Sequence, residues 1–224
     1  MSAGPSGKTA RHSVSRRILA AAVAAGIMSA AIPLRAEEGK GTTHANAVRS
    51  SPARVRLFDA PLTDQDGRNV RFVRDVAGGR IVVVDTFFTN CGLICPILGA
   101  IFADLQKMLG DLLDREVRLV SITVDPVTDI SPRLKEYAAR WEARPGWYFL
   151  TGGKQNVDHV LEGLGMYSAD FTEHPASFLV GDVREGKWTR IYGFATPERL
   201  MGHVKELLAQ REGIPPDKDV QGWK

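Results

Sequence analysis

The sequence predicts an α/β domain in which helices flank one mixed β-sheet. Residues 81–88 form a nearly continuous run of β-branched and aromatic residues, which is typical of a central strand buried on both faces, and residues 117–124 predict a second buried strand. Each run is followed by a segment with apolar residues at helical spacing. Two shorter apolar runs, 176–180 and 188–192, predict a pair of strands joined by a polar turn. This alternation of strands and helices is the pattern of an α/β fold.

The first 36 residues have the composition of an export signal. Ser15-Arg16-Arg17 precedes an Ala-rich apolar run over residues 18–32, and small residues at positions 31 and 36 suit cleavage. The run is shorter than the roughly 20 apolar residues that span a bilayer. We therefore favour a cleaved signal, 1–36, over an uncleaved inner-membrane anchor, and the arginine pair also fits twin-arginine export. The domain is expected in the periplasm.

The charge of the chain gives no support to nucleic-acid binding. The formal net charge is +3, with 29 Lys and Arg against 26 Asp and Glu. Five of the basic residues and no acidic residue lie in the first 36 positions, so the remainder has 24 basic and 26 acidic residues. The basic balance thus belongs to the leader, and no nucleic acid is expected as a partner.

The other elements follow in chain order. Residues 37–52 lack apolar periodicity and predict a flexible linker before a domain over 53–212. Leu57-Phe58 and residues 70–72 flank a turn signal at 64–67, which predicts a hairpin. Further predicted elements are helices over 96–113, 131–143, 155–164 and 196–210, a short strand over 147–150 and a loose tail over 213–224. The order matches a thioredoxin-like fold with an N-terminal hairpin extension and an extra helix before the last hairpin.

The two cysteines, Cys91 and Cys95, lie between a buried strand and a long helix. A structural disulfide between them would close a very small loop, which gives the least stabilisation. Sites in open α/β sheets form beyond the carboxyl ends of strands, and a helix N-terminus favours thiolates. Residues four apart share one helical face, so both sulfurs could bind one ion. Thiolates are soft ligands that select Cu(I) or Zn. Two of them do not complete a metal site, so a third ligand from elsewhere in the chain is expected.

One histidine is placed to be that ligand. Of the five, His12 lies in the leader and His44 in the linker, while His159 and His203 are expected on the surface of polar helices. His174 immediately precedes the strand 176–180, in a loop that faces the cysteine loop in the thioredoxin layout. We therefore expect His174 near the sulfurs.

These motifs make the chain from about residue 58 to 208 resemble the SCO/SenC family of copper chaperones. The matching residues, in order, are Leu62 to Arg68 (LTDQDGR), Phe88 to Pro96 (FTNCGLICP), Val124-Asp125-Pro126 with Asp129, and Glu173-His174. The resemblance implies that Cys91, Cys95 and His174 bind copper, as Cu(I) or Cu(II). It also implies partners: a copper-receiving protein such as subunit II of cytochrome c oxidase, and a thiol reductant.

Two expectations concern residues around this set. Because related thioredoxins carry a cis-proline before this strand, Pro175 is expected to be cis and to turn His174 toward the sulfurs. Asp125 and Asp129 follow a buried strand, where turn and helix-capping roles are favoured over an acidic rim that attracts copper.

Other functions remain open at this point. A thiol-disulfide oxidoreductase would use Cys91 and Cys95 as its catalytic pair and would leave His174 without a role. A peroxidase of the peroxiredoxin kind would need an activating arginine near the reactive cysteine, and no such motif surrounds Cys91. We expect copper binding rather than catalysis to be the main activity.

Overall fold

The computed structural model describes residues 48–211, which form one eight-stranded mixed sheet with helices on both faces. The strands are β1 (Arg49–Pro52), β2 (Pro61–Asp64), β3 (Asn69–Arg71), β4 (Ile81–Phe87), β5 (Val117–Thr123), β6 (Trp147–Thr151), β7 (Ser177–Asp182) and β8 (Lys187–Tyr192). The helices are α1 (Cys95–Leu109), α2 (Ser131–Arg140), α3 (Lys154–Leu164) and α4 (Pro197–Arg211). The predicted α/β class is confirmed.

The sheet has the order β1-β8-β7-β4-β5-β6-β2-β3. Strands β4, β5 and β6 are parallel, and every other neighbouring pair is antiparallel. All seven residues of β4 and of β5 are buried, as their largely apolar runs predicted, and the polar residues within them are buried as well. Because β4 and β5 are parallel, the chain leaves both at the same edge, where the loop to α1 and the loop to α2 begin.

Two apolar clusters hold the helices on the sheet. One cluster joins one face of the sheet to α1, α2 and α4, with Phe87, Phe102 and Trp147 among its largest buried side chains. The other joins the opposite face to α3 and to a π-helical turn over Phe72–Ala77. The cysteine helix α1 is thus fixed by the larger core, which makes its first turn a rigid platform.

Two sequence expectations about the N-terminal part were wrong. The segment 53–60 runs along α3 instead of joining the hairpin, since the Arg56 N–H donates to Gly163 O and the Phe58 ring stacks on His159 at 4.9 Å. The hairpin forms from β2 and β3 around the predicted turn at 64–67. Residues 49–52, assigned to the linker, form β1 on the edge strand β8.

The helix ends also differ from expectation. Helix α1 stops at Leu109, because Gly110 takes a positive φ of 51° and a 3-10 turn follows. Helix α2 stops at Arg140, two residues before Glu142 with a φ of 50°. The predicted leader 1–36, the start of the linker and the tail 213–224 lie outside the described residues, so these assignments stay predictions. Within residues 48–211, no helix has both the length and the hydropathy required to cross a bilayer.

Candidate metal centre

The structure brings Cys91, Cys95 and His174 together at the carboxyl edge of β4. One ligand atom from each residue lies within 4.8 Å of the others, and among residues 48–211 this is the one cluster that could hold a metal ion. Cys95 Sγ lies 3.7 Å from His174 Nε2, although 79 positions separate the two residues. Both cysteines are free thiols.

The loop before α1 places the two sulfurs. Cys91 lies in a turn closed by its own N–H, which donates to Phe88 O. Cys95 is the first residue of α1, and its N–H donates to Cys91 Sγ at 3.3 Å. Free N–H groups and partial positive charge at a helix N-terminus stabilise a thiolate in this position. Cys91 itself lies before the helix, so the hydrogen bond from Cys95 N–H, and not a helical i,i+4 spacing, holds its sulfur at the start of α1.

The two thiols have opposite environments. Burial acts to raise the pKa of Cys91, but hydrogen bonds from the Cys95 thiol and from nearby backbone N–H groups outweigh it and lower that pKa. Burial raises the pKa of Cys95, which is 1% exposed, and its hydrogen bond to Cys91 raises the pKa further. Cys91 is thus the half-exposed, more acidic thiol, and Cys95 is the buried one.

His174 enters from the loop before β7 and is only 3% exposed. His174 directly follows a 3-10 turn over Phe171–Glu173. The Asp170 carboxylate caps that turn by accepting a hydrogen bond from Thr172 N–H. The Phe88 ring meets both the Phe171 ring and the imidazole edge to face. These contacts hold the imidazole against the cysteine loop, and burial lowers the pKa of His174 and favours its neutral, ligating form.

Thr86 orients the imidazole. Its Oγ1 lies 3.3 Å from His174 Nδ1. When Nδ1–H donates to this hydroxyl, the lone pair of Nε2 is directed to the side of Cys95 Sγ, which is the tautomer that a metal ligand requires. Sequence analysis missed Thr86, because its place beside His174 depends on how β4 and the loop before β7 meet.

Pro175 does not have the predicted geometry. Every peptide bond in residues 48–211 is trans, so the expected cis-proline is wrong. His174 nevertheless faces the sulfurs, because the turn over 171–173 and the contacts with Thr86 and Phe88 hold its side chain.

The two aspartates after β5 have separate roles. Asp125 closes a turn as expected, since its backbone oxygen accepts from Asp129 N–H. Asp129 does not cap α2, whose first turn has no side-chain cap, and its carboxylate instead accepts from Thr89 and Thr123. Its side chain is 0% exposed, which excludes a place on an acidic rim.

The remaining described histidines lie away from the sulfurs. His159 is exposed on α3 and stacks on Phe58. His203 on α4 is less exposed than expected, and its Nδ1 lies 3.4 Å from Glu206. His12 and His44 lie outside the described residues.

A buried carboxyl group lies under the same edge of the sheet. Burial raises the pKa of Asp85 on β4 to about 7, although a hydrogen bond with Ser121 opposes the rise. Asp85 Oδ1 has no hydrogen-bond partner among residues 48–211. The charge on Asp85 adds to the rise in the pKa of Cys95.

Comparison with known proteins places this geometry in a family. The SCO1/SenC family model matches residues 56–209. A SCO1 protein homolog of Bacillus subtilis (strain 168) is 39% identical over 107 residues, which cover 47% of this chain and 53% of that protein. The matched part spans little more than half the length of the curated relatives.

Solved structures share the fold. BsSco, described as a member of the Sco family of cytochrome c oxidase assembly proteins with a disulfide switch, is 28% identical with a TM-score of 0.57, over 69% of this chain and 94% of that one. ScoI of Bradyrhizobium japonicum, solved with copper bound, matches the fold at 22% identity and a TM-score of 0.55, over 70% of this chain and 98% of that one. The thioredoxin-like fold is confirmed, and the chain belongs to the SCO1/SenC family.

Proposed function

We propose that this protein binds one copper ion through Cys91, Cys95 and His174 and delivers it to an exported copper enzyme. The observation that carries the proposal is the convergence of two sulfurs and one imidazole nitrogen within 4.8 Å. Two thiolates suit Cu(I), and an imidazole nitrogen suits both oxidation states of copper. Relatives with the same fold include one solved with copper bound.

The burial of the ligands supports transfer rather than permanent storage. Cys95 and His174 are buried, whereas Cys91 is half-buried. An incoming thiolate can therefore approach the ion from the side of Cys91 and replace the protein ligands one at a time. A structural metal site would have all its ligands enclosed.

Exposed apolar side chains next to Cys91 support contact with a protein acceptor. Leu93 is 77% exposed and Ile97 is also exposed, on the cysteine loop and the first turn of α1. Val127, at 75%, and Ile130 are exposed on the loop after β5, which Asp129 joins to Thr89. Exposed apolar groups near a site are typical of a docking surface. Because the acceptor has to approach the ion from the side of Cys91, it is the partner expected to contact these apolar side chains.

The proposed recipient is the copper site of cytochrome c oxidase, in subunit II, or a related exported copper enzyme. BsSco belongs to a family of cytochrome c oxidase assembly proteins, which supports an oxidase as the acceptor. Export by the predicted leader would place the domain in the periplasm. A thiol reductant would keep Cys91 and Cys95 reduced for the next ion.

Copper titration tests the proposal. Reduced protein without oxygen should bind one Cu(I) in competition with a chromophoric chelator. His174→Ala should weaken binding by at least about 100-fold, because even loss of a second-shell partner costs about 10–100-fold. The matched control is His159→Ala, which removes an exposed imidazole on α3 and should leave the affinity unchanged. Equal affinities of the wild-type and His174→Ala proteins would exclude the three-ligand site.

A thiol-disulfide oxidoreductase is the second candidate, because the thiols have opposite pKa shifts. The Cys91 thiolate would attack a client disulfide, form a mixed disulfide and release one client thiolate. Cys95 would then lose its proton, attack the Cys91 sulfur and release the second client thiol. The client gains two electrons and this protein becomes a disulfide. Efficient reduction of a peptide disulfide that is unaffected by His174→Ala, together with weak copper binding, would favour this function.

A further inference from the structure

We infer that Asp129 is a positioning residue that fixes the loop carrying Cys91, an inference that rests on the proposed copper site. Asp129 lies 34 positions after Cys95 in the chain, on the loop between β5 and α2. Its side-chain hydrogen bonds are made with Thr89 and Thr123 and not with Cys91, Cys95 or His174. Its effect on the site passes through Thr89, two residues before Cys91.

The Asp129 carboxylate connects two segments that meet at the edge of the sheet. Oδ1 accepts from Thr89 Oγ1 at 2.5 Å, and Oδ2 accepts from Thr89 N–H at 3.0 Å and from Thr123 Oγ1 at 2.6 Å. Thr123 ends β5 and is paired in register with Phe87, which ends β4. One buried carboxylate therefore joins the end of β5 to the start of the cysteine loop.

The connection to Cys91 is short. The turn that follows Phe87 is closed by the hydrogen bond from Cys91 N–H to Phe88 O at 3.1 Å. Thr89 lies inside this turn, so fixing both its hydroxyl and its N–H fixes the position of the whole turn. Cys91 Sγ then accepts from Cys95 N–H, which sets the separation of the two sulfurs.

Because Asp129 is buried, its hydrogen bonds to Thr89 and Thr123 are restricted to one arrangement. Its side chain is 0% exposed, and a buried carboxylate without partners is costly, so these hydrogen bonds have one strongly preferred arrangement. On a metal site, partners behind the ligands hold them in the binding geometry before the ion arrives. Asp129 performs this role for Cys91, as Thr86 does for His174.

The test compares Asp129→Asn with Asp64→Asn in the full chain. Both aspartates are 0% exposed, and both accept from backbone and side-chain donors. Asp64 serves the β2–β3 turn and its partners lie within that turn, so its variant controls for lost stability. Each protein is measured for Cu(I) affinity, for the Cu(II)–thiolate absorption band and, without metal, for amide exchange at Cys91.

Asp129→Asn should weaken Cu(I) binding by about 10–100-fold and shift the Cu(II)–thiolate band. Without metal it should speed exchange of the Cys91 amide by at least about tenfold, because local opening of this turn becomes easier. Asp64→Asn should change neither quantity beyond its effect on global stability. Thr89→Val should reproduce part of the loss, and the double variant Thr89→Val with Asp129→Asn should lose less than the sum of the two.

Two results would overturn the inference. One is an Asp129→Asn protein with wild-type copper affinity and wild-type exchange at Cys91. The other is an equal loss of affinity in Asp64→Asn, which would assign the effect to global stability. If the wild-type protein itself fails to bind copper, the proposed function is wrong, and metal-free exchange at Cys91 still decides the role of Asp129.

Discussion

At the level of single residues, some members of the site can be identified from the sequence and others cannot. Cys91 and Cys95 are visible because two soft ligands at a strand–helix junction have few other uses. Thr86 and Asp129 are hidden, since threonine and aspartate are common and their partners, His174 and Thr89, lie 88 and 40 positions away. Their roles depend on long-range contacts.

Asp85 gives a residue-scale prediction on pH and stability. Its pKa is about 7 in the folded protein, above the ordinary value of 3.8. The fold favours the protonated form of Asp85, because its ionised form would be buried. The contribution of Asp85 to the unfolding free energy is therefore fully present below about pH 4 and is lost as the pH rises through about 7. The prediction concerns the unfolding free energy of Asp85→Asn minus that of the wild type, both metal-free and reduced. This difference should be about 2–3 kcal/mol larger at pH 8 than at pH 5.

Urea unfolding at the two pH values measures this difference. Titration of His174 is common to both proteins and cancels in the comparison. The control is the same substitution at the exposed Asp111, which measures the effect of removing a carboxylate from the surface. An Asp85→Asn protein whose advantage is the same at both pH values would show that Asp85 is ionised in the fold at pH 5.

At the scale of elements, strand β1 shows where sequence patterns fail. Its four residues, Arg49 to Pro52, are all exposed, so no apolar alternation marks them. They are held by pairing with β8 on the edge of the sheet, and backbone hydrogen bonds leave no signature in side-chain type. By contrast, β4 and β5 are buried on both faces and were visible as apolar runs.

The pairing of β7 with β8 gives an element-scale prediction. A Cβ added to Gly181 would overlap the indole of Trp188 on the facing strand. Gly181→Ala should therefore lower the unfolding free energy by about 1–3 kcal/mol, the usual cost of overpacking. Gly202→Ala makes the same chemical change in α4, where no heavy atom lies within 4 Å of the added Cβ, and should raise it by about 0.5–1 kcal/mol.

Thermal or denaturant unfolding of the two variants checks this pair. The unfolding free energy should fall for Gly181→Ala and rise for Gly202→Ala, because the Trp188 indole fills the space beside Gly181 and the space beside Gly202 is open. A Gly181→Ala protein as stable as the wild type would mean that the Trp188 indole can move away from the added methyl group without cost.

At the scale of the whole molecule, the candidate ligands come from distant parts of the chain. Cys91 and Cys95 belong to the start of α1, and His174 to the loop before β7. An ion bound to all three would connect segments that separate on unfolding. Copper should therefore stabilise the entire domain, and not only the loops at the site.

The corresponding prediction is a copper-dependent unfolding midpoint. With free Cu(I) buffered at 100 times the dissociation constant, the reduced protein should gain about 2.7 kcal/mol in unfolding free energy. Thermal unfolding with and without buffered Cu(I) measures the gain. The variant with both Cys91→Ser and Cys95→Ser should show no gain, and an equal gain in that variant would mean that copper binds elsewhere.

The sequence predicts the α/β class, the core strands, most helices and the pair of cysteines at a strand–helix junction, because these follow from local periodicity and residue type. It also supported the resemblance that the family match confirms. Four features became known only from the folded chain. They are the edge strand β1, the trans Pro175, the contact of His174 with Thr86 and the hydrogen bonds of Asp129 to the cysteine loop. The strand pairing and the two sets of side-chain contacts join residues far apart in sequence, so they depend on how the core packs, and local residue type does not predict them.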